Sequence, residues 1–305
     1  MKKNKFILSI ALILSFLSCI ALSVNYFIFQ YPGNNYFPPQ TVYILFALIL
    51  MYAGLLLQLG PDSFHTKLLK ETLFFFMVMT IIGFASNAAQ YTPFNTIDQH
   101  IVKLEASLHI NSKAILAWTH TKPIFKAVLE FVYDSLPYQM IYIPLFIIAT
   151  QRLSILREYY FLLLFVTTLG FTFYYFFPTT GPASVIDSIY YSEGQRATGL
   201  KFLQLHEHFQ PTTMEGGMIA FPSYHVIWAW LSLYVLKDFT LLFKVLLPHN
   251  LLLAMSCVLL GWHYSIDIFG SIIVILMAHG AYHFIYIRTV KNSLKSESNL
   301  HIAPL

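Results

Sequence analysis

Charge is what this sequence has least of. Only 10% of its 305 residues are Asp, Glu, Lys or Arg, where a soluble domain carries about a quarter. Beside a hydrophobic content of 57%, that scarcity excludes an ordinary soluble globular protein. Cysteine is nearly absent too. Cys19 and Cys257 each lie within an apolar run, so no disulfide framework is implied. The residues before Cys19 fit a lipoprotein cleavage box poorly, and Cys19 reads as a buried membrane residue. Arginine is confined to Arg152, Arg157, Arg196 and Arg288, and none precedes a proline. The net charge of +4 is small, and no basic-aromatic pattern points to nucleic acid. Internal repeats and low-complexity tracts are missing as well.

What is present is apolar and aromatic. The 28 Phe and 20 Tyr suit a membrane core and its interfacial belts. A spanning helix needs about 20 mostly apolar residues. Windows near 6–29, 41–60, 71–90, 126–150, 158–177, 222–240, 243–262 and 264–288 qualify. They predict an all-α polytopic integral membrane protein with about eight transmembrane helices. The first window is too long for a signal-peptide core and reads as an anchor. The window 126–150 is interrupted by "YDSLPYQ".

Lysine and arginine orient the spans. With the basic ends "MKKNK" and "RTVKNSLK" on the cytoplasmic side, Lys67, Lys70, Arg152, Arg157, Lys237 and Lys244 fall there too. The uncharged "YPGNNYFPPQ", the segment 91–125, the loop 178–221 and His263 take the outer side. Within 91–125, Ile97, Ile101, Leu104 and Leu108 recur at helical spacing among charged residues. They predict an amphipathic helix within 97–120, either lying on the outer membrane surface or packed on the loop 178–221.

Ionisable groups at membrane depth are expensive and usually functional, and two segments concentrate them. "GWHYSIDIFG", residues 261–270, places His263 and Asp267 four apart, so on a helix they share a face. A carboxylate there fixes the imidazole's tautomer and raises its basicity. "IAFPSYHVIWAWL", residues 219–231, reads as a helix start, with Pro222 in the first turn and Ser223 as cap. Free N–H groups at such a start bind phosphate, and His225 stands beside them. The topology brings both segments to one outer depth.

"FPSYH" and "HYSIDIFG" resemble the second and third signature motifs of the phosphatidic acid phosphatase type 2 superfamily, and the Phe-Pro-Ser-x-His form resembles its inositol phosphorylceramide synthase-like branch. The likeness extends over about 71–288, leaving residues 1–70 as two additional N-terminal spans and 289–305 as a cytoplasmic tail. It implies a six-helix catalytic core and a phosphatase or phosphotransferase acting on a lipid phosphate held in the bilayer. His263 would be the nucleophile that forms a phosphohistidine, Asp267 its orienting base partner, and His225 the general acid and then base. Ser223 and Tyr224, with the helix start, would hold the phosphoryl oxygens, and neither metal nor cofactor is needed.

The superfamily's first motif, a Lys, six residues, then Arg-Pro, is missing. Arg196 is the arginine left on the active face, in "EGQRATGLKF", with Lys201 five residues on. These two are the expected phosphate cations, and Thr179, Thr180 and Gly181 are further donors or simply turn residues. Asp134 and Gln139 are candidates to reach the pocket. His206 and His208 read as a solvated loop rather than a zinc site. His279 lies about 24 Å along the last helix from His263, so it and His283 cannot join the outer site.

Three functions compete: a lipid phosphate phosphatase, a headgroup phosphotransferase with a lipid hydroxyl as acceptor, and a non-catalytic lipid or anion transporter. A transporter core would show repeated halves, and none is visible. Short loops without an organellar transit signal point to a bacterial inner membrane with the site facing the periplasm. Oligomeric state leaves no mark on the sequence.

Overall fold

The computed structural model describes residues 2–30, 40–217 and 219–300. The loop 31–39, expected outside the membrane, lies outside the described residues, as does 301–305 of the tail. Every regular element among the described residues is helical: α1 (Lys2–Phe27), α2 (Gln40–Leu59), α3 (Phe64–Gln90), α4 (Asp98–Ser107), α5 (Ser112–His120), α6 (Pro123–Asp134), α7 (Leu136–Ala149), α8 (Leu153–Phe176), α9 (Pro182–Val185), α10 (Glu193–His206), α11 (Tyr224–Tyr234), α12 (Thr240–Leu259) and α13 (Ser265–Leu300).

Six of these, α1, α2, α3, α8, α12 and α13, are long and apolar enough to cross a membrane. The interrupted window resolves into α6 and α7, bent by 43°. Ser135 ends one helix and starts the other, and Pro137 in the next turn has no N–H to continue the ladder. Counted as one span, the pair makes seven. The expected span 222–240 is shorter than its apolar composition suggested. Its helix, α11, has 11 residues, about 16 Å at 1.5 Å per residue, against a hydrocarbon core of about 30 Å. The chain after Val235 closes in single turns, with Leu236, Lys237 and Phe239 bonding back three residues. α13 runs past Arg288 to Leu300, so the basic segment after the last span continues the helix.

Two helices that are apolar on every side show what such sequence can do. α8 lies at the centre, where Tyr160, Leu162, Leu163 and Leu164 are fully buried among α1, α3 and α13. α2 packs on α3 and has no buried residue at all. An apolar helix of 20 residues with none buried, Leu57 among them at 86% exposed, suits a hydrocarbon surrounding.

The polar groups collect at the two ends. At one end Arg157 pairs with Glu71 at 2.5 Å, Lys237 with Glu158 at 3.1 Å and Arg152 with Asp238 at 3.4 Å. These join the start of α8 to α3 and to the turn after α11, three segments grouped on one side by their basic residues. The starts of α11 and α13, α4, α5 and the segment around α9 and α10 form the other end. Arg157→Ala leaves Glu71 buried without its partner, at an expected cost of about 3–5 kcal/mol. Thermal unfolding in detergent micelles reads it, and an unchanged midpoint would show that the pair contributes nothing.

Candidate active site

His225 occupies the first turn of α11 and His263 the turn between α12 and α13. Their ring centroids are 5.7 Å apart at 62°. Both rings line one cavity of about 400 Å³, together with Tyr133, Trp262, Thr180 and Gly181. His263 precedes α13 rather than lying on it, so its contact with Asp267 is made through a turn. Asp267 Oδ2 accepts from His263 Nδ1 at 3.1 Å and from the Tyr264 N–H at 3.1 Å. One carboxylate oxygen thus sets the imidazole and closes the helix start, as an acidic third residue commonly does. The His263 N–H donates to the Cys257 carbonyl at 2.9 Å, fixing the backbone from behind. Burial pushes His263 down to about 4, with the Ala220 backbone acting in the opposite sense. The ring is therefore neutral at ordinary pH, the form that the expected role of nucleophile would require.

The other expected phosphate ligands lie elsewhere. Ser223 is the fully buried N-cap of α11, yet its side chain caps no N–H; its Oγ faces Cys257 Sγ at 4.0 Å and its carbonyl accepts from Ser271 Oγ at 2.9 Å. Pro222 precedes the cap instead of entering the first turn. Tyr224 points into the core: its hydroxyl donates to the Val166 carbonyl at 3.1 Å, and its ring packs on Phe171. Gly170 makes that approach possible, because a β-carbon there would meet the hydroxyl at 2.4 Å. Arg196 spends its guanidinium on the carbonyls of Tyr191 and Ser188, at 3.3 and 3.0 Å. Lys201 is fully buried, and its Nζ donates to the carbonyls of Glu215, Gly216 and Gly217 at 2.5, 3.1 and 2.6 Å. Burial pushes this ammonium down to about 8, with Glu215 opposing. Reading cations by side of the membrane overlooked the backbone carbonyls that would claim them. Among the described residues, no lysine or arginine lines the cavity, while Asp134 and Glu215 do.

Gln139 does not line the cavity either; it donates to Ser135 Oγ at 3.2 Å. His206 is half-buried against the Tyr174 hydroxyl at 3.3 Å, and His208 stacks on Phe29 at 5.9 Å. His279, far along α13, accepts from Trp230 Nε1 at 2.9 Å.

Two carboxylates that the sequence reading passed over hold the site together. Asp98, fully buried at the start of α4, accepts from the Thr180 and Gly181 N–H groups at 2.9 and 3.0 Å and from the Tyr264 hydroxyl at 2.9 Å. Gly181 has a φ of +85°, a conformation glycine adopts at little cost. Glu105 Oε1 accepts from the Ser265 and Ile266 N–H groups at 2.5 and 3.3 Å, and Oε2 from Ser112 Oγ at 2.7 Å. A carboxylate from one helix caps another. The signal was the spacing: Asp98, Ile101 and Glu105 share one face of α4, and that face is buried. Leu104 and Leu108 point outward instead, 44% and 56% exposed. The helix packs on α13 and α9 with one side and offers leucines with the other.

A helical membrane protein with two imidazoles and a carboxylate meeting at one end of its bundle is the class these features define. The sequence profile of the PAP2 superfamily matches residues 99–281, more than half of the chain, and the protein belongs to that superfamily. No curated protein and no solved structure matches it. Membership supports a phosphatase- or phosphotransferase-type function.

Glu105→Ala would leave two amides of α13 uncapped beside His263, at an expected cost of about 1–2 kcal/mol. A lowered unfolding midpoint in micelles, accompanied by faster hydrogen exchange at 264–267, is the outcome expected. Parental values in both would mean that α4 only covers the site.

Proposed function

We propose that the protein is a membrane-embedded lipid phosphate phosphatase that works through a phosphohistidine at the outer, periplasmic face of a bacterial inner membrane. The observation that carries this reading is the meeting of His225 and His263 over one cavity, with Asp267 bonded to the far nitrogen of His263. His263 Nε2 attacks phosphorus while Nδ1–H remains bonded to Asp267, which stabilises the cation that forms. His225, protonated, gives its proton to the leaving lipid alkoxide. It then removes a proton from water, and the resulting hydroxide breaks the P–N bond and restores His263. The start of α13 is already occupied, because Asp267 and Glu105 hold the N–H groups of residues 264–266. The uncapped start of α11 is left to face the phosphoryl oxygens. Outward orientation rests on the basic residues gathered at the opposite end.

A second reading has a lipid hydroxyl in place of water, making the enzyme a headgroup phosphotransferase. The Phe-Pro-Ser-x-His motif favours it, and so do the wall carboxylates Asp134 and Glu215, which can accept from hydroxyls. Supplying diacylglycerol, ceramide or a polyprenol and looking for a new phospholipid separates the two readings.

Purified protein should release phosphate from a lipid phosphate. His263→Ala should abolish release and the alkali-stable phosphoenzyme while keeping the parental unfolding midpoint. His225→Gln should slow turnover by roughly 10²–10⁴-fold. Undiminished turnover in the His263 variant ends the assignment.

The pH profile should be bell-shaped. Burial pushes both rings down, His263 to about 4 and His225 to about 3, so both limbs of kcat/KM should lie below the ordinary imidazole value, the acid limb at about pH 4 or lower. An acid limb above about pH 6, close to the ordinary imidazole value, would contradict a desolvated nucleophile.

A further inference from the structure

His225 is held by rings. Tyr133, near the end of α6, lies against it at 4.3 Å and 16°, and Trp262 also stacks on Tyr133, at 5.4 Å and 7°. Leu129 and Leu136, both buried, pack in the same cluster as Tyr133 and set its position. The edge of the His225 ring then meets His263. Among the described contacts, no hydrogen bond fixes the His225 imidazole, whereas His263 has a carboxylate. One histidine of the pair is oriented by a charge, the other by a stack.

We propose that Tyr133, backed by Trp262, is the positioning residue for His225, fixing the plane of its imidazole and stabilising its imidazolium form. A cation over a tyrosine face is attracted by the ring's quadrupole, most strongly where water is excluded. A neutral imidazole gains much less, so the stack favours the protonated ring against the desolvation that pushes His225 down to about 3. In a cavity wall without lysine or arginine among the described residues, that preference raises the share of protonated His225 available to the leaving group. The groups facing His225 from the surrounding elements are His263, Asp267 behind it, Asp134 beside Tyr133, Glu215 across the cavity and Cys257 on α12. None of these is altered when Tyr133 is exchanged for another uncharged residue. The inference rests on the catalytic reading above in one respect only, that His225 acts as the acid.

The test compares Tyr133→Phe with Tyr133→Leu, using phosphatidic acid in mixed micelles and, separately, ring-labelled histidine in NMR titrations assigned with His225→Gln. Phe keeps the ring and should leave the alkaline limb of kcat in place. Leu removes it and should move that limb down by about one pH unit, lower kcat more than it changes KM, and shift the His225 resonance to an earlier titration without moving that of His263. If the Leu variant does not fold, Trp262→Leu, which withdraws the backing ring, should give a smaller shift of the same sign. A Leu variant with parental unfolding, limb and His225 titration overturns the proposal, as does a loss of kcat at all pH values with the titration unmoved. Should the parent turn over no lipid phosphate, the catalytic reading falls alone, because the titrations still decide whether the stack holds the proton.

Discussion

Asp98 and Glu105 bind the histidine-bearing end of this protein into one object. They lie two helical turns apart on α4 and reach two separate pieces of chain: the turn at 180–181 and the start of α13. Both receivers are backbone N–H groups that hydrocarbon could not satisfy, and each such group left unpaired costs of order a few kcal/mol. The Tyr264 hydroxyl completes the junction by donating to Asp98. His263 is thereby followed by a tyrosine anchored to α4 and by a helix capped from α4. Its freedom to move away from Asp267 is removed by contacts that never touch the imidazole.

The shortness of α11 follows from the same economy. Its first turn stands at the depth of the site, with Ser223 tied to α13 through Ser271 and Tyr224 tied to α8 through Val166. Asn250 of α12 donates to the Ala229 carbonyl at 2.9 Å, holding its middle. A helix fastened to three neighbours within 11 residues needs no full crossing to be stable, since tertiary packing rather than length supplies most helical stability in proteins. The consequence is a rigid platform for His225 whose far end stops just short of the Lys237–Glu158 pair.

The meeting of His225, His263 and Asp267 was legible in the sequence because each sits in a short stretch at the start of a helix, and the basic loops put both starts at one depth. The long apolar windows were legible for a similar reason, since bilayer thickness sets their length. What escaped depends on distant chain. Tyr133 reaches the site from α6, and nothing within "YDSLPYQM" says that a tyrosine there will meet a histidine on α11. Asp98 and Glu105 read as the polar side of an amphipathic helix until a partner surface turns that side inward. Arg196 and Lys201 misled in the opposite direction. Their charge and side of the membrane suited a phosphate, but the carbonyls that occupy them come from turns no spacing announces. The end of α11 escaped because apolar composition continues where the helix does not.

The distribution of positive charge in the folded protein constrains how the proposed chemistry can run. Arg152, Arg157 and Lys237 are paired with carboxylates at the far end, and Arg196 and Lys201 are bonded to carbonyls near the site. The cavity wall holds two carboxylates and no lysine or arginine among the described residues. A phosphoryl group there gains its stabilisation from amide dipoles at the start of α11 and from whichever imidazole carries a proton. Burial disfavours the charged form of both rings, pushing His263 to about 4 and His225 to about 3, so under this reading His225 takes its proton only with help from its surroundings. That demand gives the ring stack around His225 a role that simple filling of space would not. In a site where charge is supplied by one titrating ring instead of a permanent guanidinium, whatever orients that ring also sets its protonation and with it the working pH range of the catalyst.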